Sequence, residues 1–306
     1  SSLEPARRSW LGRQPRSDET TVAVPPTDTA GGQALTELRE RGLRPVATAL
    51  AHSSDQVLAT FAQLRRESAF LAGCVALAGR LRDLGLPTAI PDPRPAGREL
   101  TAHGLYDVGL AVRSGSAVVG NDLEADGRAA VVVTGANQGG KSTLLRAVGL
   151  AQVMAQAGMF VGAADLRVSV VGRVHTHFRR EEDDRLRSGK LREELVRMGA
   201  IVDRSAPGHL VLSNESFAST NEREGSRIAH QIVEGLIEGG VRVAMVTHLT
   251  EFSRALSDEG RDDVLFLRAD RAPDGSRTFR VVPGDPLPTS FGMDLWDRVF
   301  GSDLSR

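Results

Sequence analysis

The chain has 306 residues, a formal net charge of −1, 41% hydrophobic and 25% charged residues, the values of an ordinary globular protein long enough for one large or two modest domains. Near-neutrality excludes a global positive field that would drive the chain onto nucleic acid or an acidic membrane, so any DNA contact must come from a local patch or a missing partner. No apolar run approaches the length of a membrane span, the opening SSLEPARRSW does not read as a signal peptide, and the single Cys74 excludes an internal disulfide and fits a reducing, cytoplasmic setting.

The chain opens on Ser rather than Met, which reads as a fragment or processed form. Residues 1–33 are rich in Pro, Arg, Ser, Thr and Gly without periodicity and read as a disordered arm or linker. Residues 34–105 read as a helical segment. Within it the stretch from Asp55 to Leu84 carries apolar and small residues at Val57, Phe61, Leu64, Ser68, Leu71, Val75 and Ala78. Spacings of four and three place them on one face of a helix about 45 Å long, a stripe expected to be core or helix-pairing surface. Gly85 and Pro87 end it, and the Pro-rich crossing PTAIPDPRPAG leads into residues 106–306, read as the catalytic domain.

In that domain Tyr106–Val112 and Ser116–Val119 read as short strands and Ala129–Thr134 as a buried one. Helical spacing follows over Ser142–Ala157, then over Leu191–Ser205. His209–Ser213 is an apolar strand, Arg223–Glu238 a helix stopped by Gly239-Gly240, and Val241–Thr247 another strand. Val264–Arg268 and Thr278–Val282 flank an Ala-Pro-Asp-Gly turn and read as a hairpin. Strands alternating with helices imply an α/β fold with a mainly parallel sheet covered by helices on both faces.

Of the 38 basic residues, only Lys141 and Lys190 are lysine. A lysine is a compact point charge where arginine is a broad planar fork, so both positions are candidates for a task arginine serves poorly. Gly135-Ala136-Asn137-Gln138-Gly139-Gly140-Lys141-Ser142 fits the phosphate-loop pattern G-x-x-x-x-G-K-[ST] between an expected strand and an expected helix. Its glycines let backbone N–H groups converge on phosphate oxygens, and the following helix aims its positive end at the anion. The lysine would grip the β and γ phosphates of a nucleotide, and the Ser142 hydroxyl, followed by Thr143, would ligate Mg²⁺.

A second strand end, Leu210-Val211-Leu212-Ser213-Asn214-Glu215, should bring polar groups to the metal and the attacking water. Asn214 stands where an aspartate is expected: it can orient a water of the Mg²⁺ shell but adds no charge. Glu215 is then the general base or water-orienting group. Val246-Thr247-His248 ends the next strand, where His248 can hydrogen-bond the γ-phosphate. Lys190 follows Gly189 at an expected helix start, an unfavourable place for a cation unless it faces an anion.

Together these residues resemble the C-terminal core and ATPase region of the MutS family of DNA mismatch-repair proteins, over about Ala34 to Gly301. The loop Thr134–Thr143 matches the family's apart from Ala136 and Gln138; Asn214-Glu215 falls on its Asp-Glu, Thr220 and Glu224-Gly225 on the segment after it, Val246-Thr247-His248 on its Ala-Thr-His, and Pro288–Gly292 on a closing Ser-Tyr-Gly segment. The resemblance implies a P-loop NTPase of the ABC-ATPase type, ATP and Mg²⁺ as cofactors, a homodimer with composite sites, and a DNA clamp controlled by ATP. It further implies that Lys190 lies in the segment that reaches the partner's γ-phosphate, although Ser188-Gly189-Lys190-Leu191 lacks the family's Ser-Thr pair. That departure and the run Thr176–Asp184 point to a divergent MutS-like subfamily. The family's mismatch-reading Phe-x-Glu wedge has no counterpart, so DNA binding by this chain alone should be weak and blind to mismatches. Two alternatives remain open: an ABC-type ATPase of another DNA-maintenance machine, and a nucleotide-binding interaction module that hydrolyses poorly because Asn214 replaces aspartate.

Overall fold

The computed structural model describes residues 25, 27–179, 189–274 and 276–286. Two compact units divide the chain, residues 1–69 and 70–306, and the boundary falls within helix α1 (Thr29–Asp83). The Asp28 carboxyl caps α1 by accepting from Gly31 N at 2.9 Å, which starts the helix upstream of the boundary expected at residue 34. The stripe expected to pack is open to solvent in this chain: Phe61 in the first unit and Val75 in the second are 66% and 73% exposed, and full burial begins at Leu81. Among the described residues no helix is long and apolar enough to cross a membrane.

In the second unit the chain runs through β1 (Asp92–Arg94), β2 (Leu100–Leu105), α2 (Val108–Ser114), β3 (Asn121–Glu124), β4 (Ala130–Thr134) and α3 (Lys141–Gln156). It continues through β5 (Asp165–Ser169), β6 (Val174–Phe178), α4 (Lys190–Val202), β7 (Leu210–Asn214) and α5 (Glu222–Glu238). The last elements are β8 (Arg242–Val246), α6 (Thr250–Asp258) and the hairpin β9 (Val264–Arg271) and β10 (Arg277–Pro283).

Six strands form the main sheet in the order β10-β9-β4-β8-β7-β6, parallel except for β10. Strand β4 is buried along its whole length, as a continuous Ala-Val-Val-Val run requires when both faces are covered. The alternation of a strand sends its residues to opposite cores. Val131 and Val133 pack with Leu144, Leu145, Val148 and Ala151 of α3, while Ala130 and Val132 join Met198 of α4, Val233 of α5 and Phe252 of α6.

A second, four-stranded sheet has the order β1-β5-β2-β3, with β1 parallel to β5 and the other pairs antiparallel. The expected helical segment 34–105 is therefore helical only to Asp83: residues 92–94 and 100–105 belong to this sheet. The stretch Tyr106–Val112, expected as a strand, is mostly helix α2. The Asp107 side chain accepts from Leu110 N at 2.9 Å and Gly115 closes the helix at φ 62°, so a capping pair outweighs the β-like run of apolar residues. Ser116–Val119 is loop, and β3 begins at Asn121.

Candidate functional site

Because β4, β8 and β7 are adjacent and parallel, their carboxyl ends open side by side, the place where open α/β sheets bind ligands. The register pairs Val133 with Val246 and Val246 with Asn214, so Thr134-Gly135, Thr247-His248 and Asn214-Glu215 emerge along one edge. Thr247 N donates to Val133 O at 3.1 Å and Glu215 N to Val246 O at 2.8 Å, extending the ladder past the strand ends.

The loop between β4 and α3 is held in left-handed conformations at Gly135 (φ 101°), Gln138 (φ 60°) and Gly140 (φ 93°). At Gly140 a Cβ would lie 2.8 Å from the Phe279 carbonyl oxygen, so the β9–β10 hairpin leaves room for nothing but glycine there. Arg277 of the same hairpin hydrogen-bonds the Gln138 side chain. Lys141, the first residue of α3, is buried, and its Nζ donates to the carbonyls of Gly135 at 2.6 Å and Ala136 at 2.8 Å. Burial pushes its pKa down to about 8, partly opposed by the charge of Glu215. Ala136 and Gly139 are buried, Asn137 and Gln138 exposed, and Ser142 and Thr143 half-buried beside the lysine.

Across this edge Glu215 Oε1 lies 3.1 Å from His248 Nε2. That hydrogen bond, with the nearby charges of Lys141 and Arg179, holds the Glu215 carboxyl below the usual carboxylate range against the opposing effect of burial. Glu215 (φ 54°) and Phe217 (φ 64°) both stand in the left-handed region. Such a conformation costs a non-glycine residue about 1–2 kcal/mol, and it persists where neighbours over-determine it, typically at functional sites. The Asn214 Oδ1 atom is buried with no hydrogen-bond partner among the described residues, an unsatisfied acceptor at the carboxyl end of β7.

The structure thus brings Lys141, Glu215 and His248 together with the loop Gly135–Thr143 and Asn214. Lys190 stands on another element, as the exposed first residue of α4. Ser188 and residues 180–184 of the run Thr176–Asp184 lie outside the described residues, as does Pro288–Gly292. The sequence reading did not anticipate that His248 and Glu215 bond each other, nor the buried carboxyl of Glu194 on α4. Its oxygen Oε2 accepts from Phe217 N and from Ser219 Oγ, both at 3.0 Å. A glutamate within a helix carries no motif; the one signal was that it falls among the apolar positions of α4.

The profile of MutS domain V matches residues 131–297, over half of the chain, and covers every element of this edge. The chain belongs to the MutS family. A profile of the MutS2 N-terminal domain matches residues 2–84, which include α1. The DNA mismatch repair protein MutS of Synechococcus sp. (strain CC9605) is 27% identical over 303 residues, covering 91% of this chain and 33% of that protein. The MutS of Methanococcoides burtonii is 34% identical over 194 residues, covering 58% and 20%. That of Chloroflexus aurantiacus (strain J-10-fl) is 33% identical over 138 residues, covering 44% and 14%. This MutS-family chain spans only about a seventh to a third of the length of these relatives.

Proposed function

We propose that residues 106–306 form an ATP-hydrolysing nucleotide switch, a P-loop NTPase of ABC type, working in a DNA-binding protein of the mismatch-repair kind. The single observation that carries this is the convergence on one sheet edge of a glycine-shaped loop, a buried lysine, the Glu215–His248 pair and the Asn214 Oδ1 atom, without a partner among the described residues. Backbone N–H groups of Gly135–Thr143 and the Lys141 ammonium bind the phosphates, and the α3 N-terminus adds its positive end. Ser142 and Asn214 would hold Mg²⁺, which when bound neutralises charge on the phosphate oxygens. Asn214 does this as a neutral acceptor, through water. Glu215, ionised at neutral pH, orients the attacking water, and His248 holds Glu215 while facing the γ-phosphate.

The reading extends to a homodimer in which Lys190 of one chain completes the site of the other, as an arginine finger does, with the ATP state governing a clamp on DNA. Complementation tests it. Lys190→Ala and Lys141→Ala chains, each inactive alone, should recover turnover when mixed, because each mixed dimer contains one site with a good loop and a good trans lysine. Mass in solution should rise on adding Mg-ATP. Mixed dimers that form without recovering turnover would remove Lys190 from the site.

A further inference from the structure

The turn that carries Glu215 is also bonded to helix α4, through side chains that the proposed nucleotide site does not use. Glu194 is 5% exposed and lies in the second turn of α4. Its Oε2 accepts from Phe217 N and Ser219 Oγ, both at 3.0 Å, so one oxygen ties residue 217 to residue 219 just beyond the end of β7. The bond to Phe217 N is fully buried, while Ser219 lies at the exposed end of the turn.

A second set of bonds ties the same turn to the same helix. His177 on β6 places Nε2 3.2 Å from the backbone carbonyl oxygen of Glu194, and Nδ1 2.5 Å from Ser216 Oγ, which in turn lies 2.6 Å from Ser213 Oγ. A carbonyl only accepts, so Nε2 carries the proton and donates to it. Burial keeps the imidazole neutral, so Nδ1 accepts from the Ser216 hydroxyl, and Ser216 accepts from Ser213. Every donor direction along the chain Ser213, Ser216, His177, Glu194 is thereby fixed. The His177 ring also stacks on Phe217, with centroids 5.8 Å apart and planes 23° from parallel. Two left-handed residues, Glu215 and Phe217, flank Ser216 in this turn. Left-handed φ at both is what a carboxyl on one side and a strand ladder on the other would have to enforce, since neither residue is glycine.

We propose that Glu194 is a positioning residue for Glu215: its buried carboxyl, by holding Phe217 N and Ser219 Oγ, fixes the left-handed turn that aims the Glu215 carboxylate. The inference rests on the reading of Glu215 as the group that orients the attacking water. Its consequence is that hydrolysis depends on the seating of α4, the helix that begins at Lys190. Movement of α4 along its axis draws the Glu194 oxygen from the turn and misaims Glu215 without touching the loop that binds the phosphates.

The test uses the 306-residue chain with Mg-ATP, measuring kcat, KM, the affinity for a fluorescent ATP analogue, and thermal unfolding. Glu194→Ala should lower kcat roughly 10- to 100-fold, as misplacement of a catalytic group by about 1 Å does, with KM and nucleotide affinity within about twofold. Glu194→Gln keeps an oxygen at the same reach and should stay within about threefold of wild type, since an amide oxygen still accepts both bonds. Should Glu194→Ala fail to fold, Glu194→Asp makes the same test, because its oxygen is withdrawn by one methylene and kcat should again fall. The decisive readout is a double-mutant cycle. If Glu194 acts only through Glu215, adding Glu194→Ala to Glu215→Gln slows hydrolysis no further. Wild-type kcat in Glu194→Ala, an additive loss in the double variant, or a loss matched by an equal loss of nucleotide-binding chains would overturn the proposal. In those cases wild type still turns over and Glu215→Gln is slowed roughly 100-fold or more, so the reading of Glu215 stands. Absence of turnover by wild type would overturn both.

Discussion

Replacing Lys141 by Met should separate the binding of nucleotide from the stability of the protein, with a signed dependence on pH. Lys141 is 4% exposed, and its pKa falls from an ordinary value near 10.5 to about 8. At 1.36 kcal/mol per unit, carrying the charged form in this site costs up to about 3 kcal/mol relative to an unfolded chain. The hydrogen bonds from Nζ to the Gly135 and Ala136 carbonyls oppose that cost by roughly 1.5–3 kcal/mol each. Lys141→Met removes both contributions, about 3–6 kcal/mol of bonding against a cost of about 3, so its unfolding free energy at pH 7.5 should lie between that of wild type and about 3 kcal/mol below it. Its affinity for ATP should nonetheless fall roughly 100-fold or more, the loss of about 3 kcal/mol of charge-assisted binding. The pH dependence isolates the lysine. A base with a depressed folded pKa binds fewer protons folded than unfolded between the two values, so stability rises with pH in that window. Urea unfolding of the nucleotide-free proteins from pH 7.5 to 10.5 should show wild type gaining on Lys141→Met by up to about 3 kcal/mol as pH rises above about 8. A flat or falling difference would refute the buried, charged lysine. Unchanged ATP affinity would refute the phosphate loop.

Asn214→Asp should lower the Mg²⁺ concentration for half-maximal turnover, because a carboxylate replaces a neutral buried acceptor beside the dication; an unchanged requirement in a magnesium titration would place Asn214 outside the metal's shell. Gly140→Ala meets both a left-handed φ of 93° and the Phe279 carbonyl at 2.8 Å, and should destabilise the protein by about 2 kcal/mol or more. It should also weaken ATP binding in equilibrium titration; wild-type stability and affinity together would show that the hairpin yields freely.

What could be read from residues alone was local and regular. The run Ala129–Thr134, the loop spacing up to Lys141-Ser142 and the periods of α3, α4 and α5 each bring their own short-range pattern, and the hairpin of β9 and β10 announces itself by its turn. The four-stranded sheet has no such pattern. Strands β1 and β5 pair in parallel although some seventy residues separate them, and Asp92–Arg94 offers no apolar residue but Pro93. Helix α2 depends on the cap at Asp107, which also pairs with Arg146 of α3 at 2.9 Å, a contact between elements distant in sequence. In the site the residue types were legible and their pairing was not. His248 and Glu215 are each expected to act on nucleotide, but that they bond each other follows from the parallel register of β7 and β8. Glu194 was invisible because its contacts are with a turn formed by another segment. The apolar stripe of α1 shows the reverse: its helical period was plain, yet nothing local tells whether a helix face is covered by its own chain.

The central claim, that this edge of the sheet hydrolyses ATP with Glu215 orienting the water, is tested most directly by phosphate release and ATP binding measured side by side in wild type and Glu215→Gln. The account predicts that wild type releases phosphate in Mg-ATP, and that Glu215→Gln binds ATP with affinity within about twofold of wild type while its turnover falls roughly 100-fold or more. Wild-type turnover in Glu215→Gln, or no phosphate release by either protein, would contradict it.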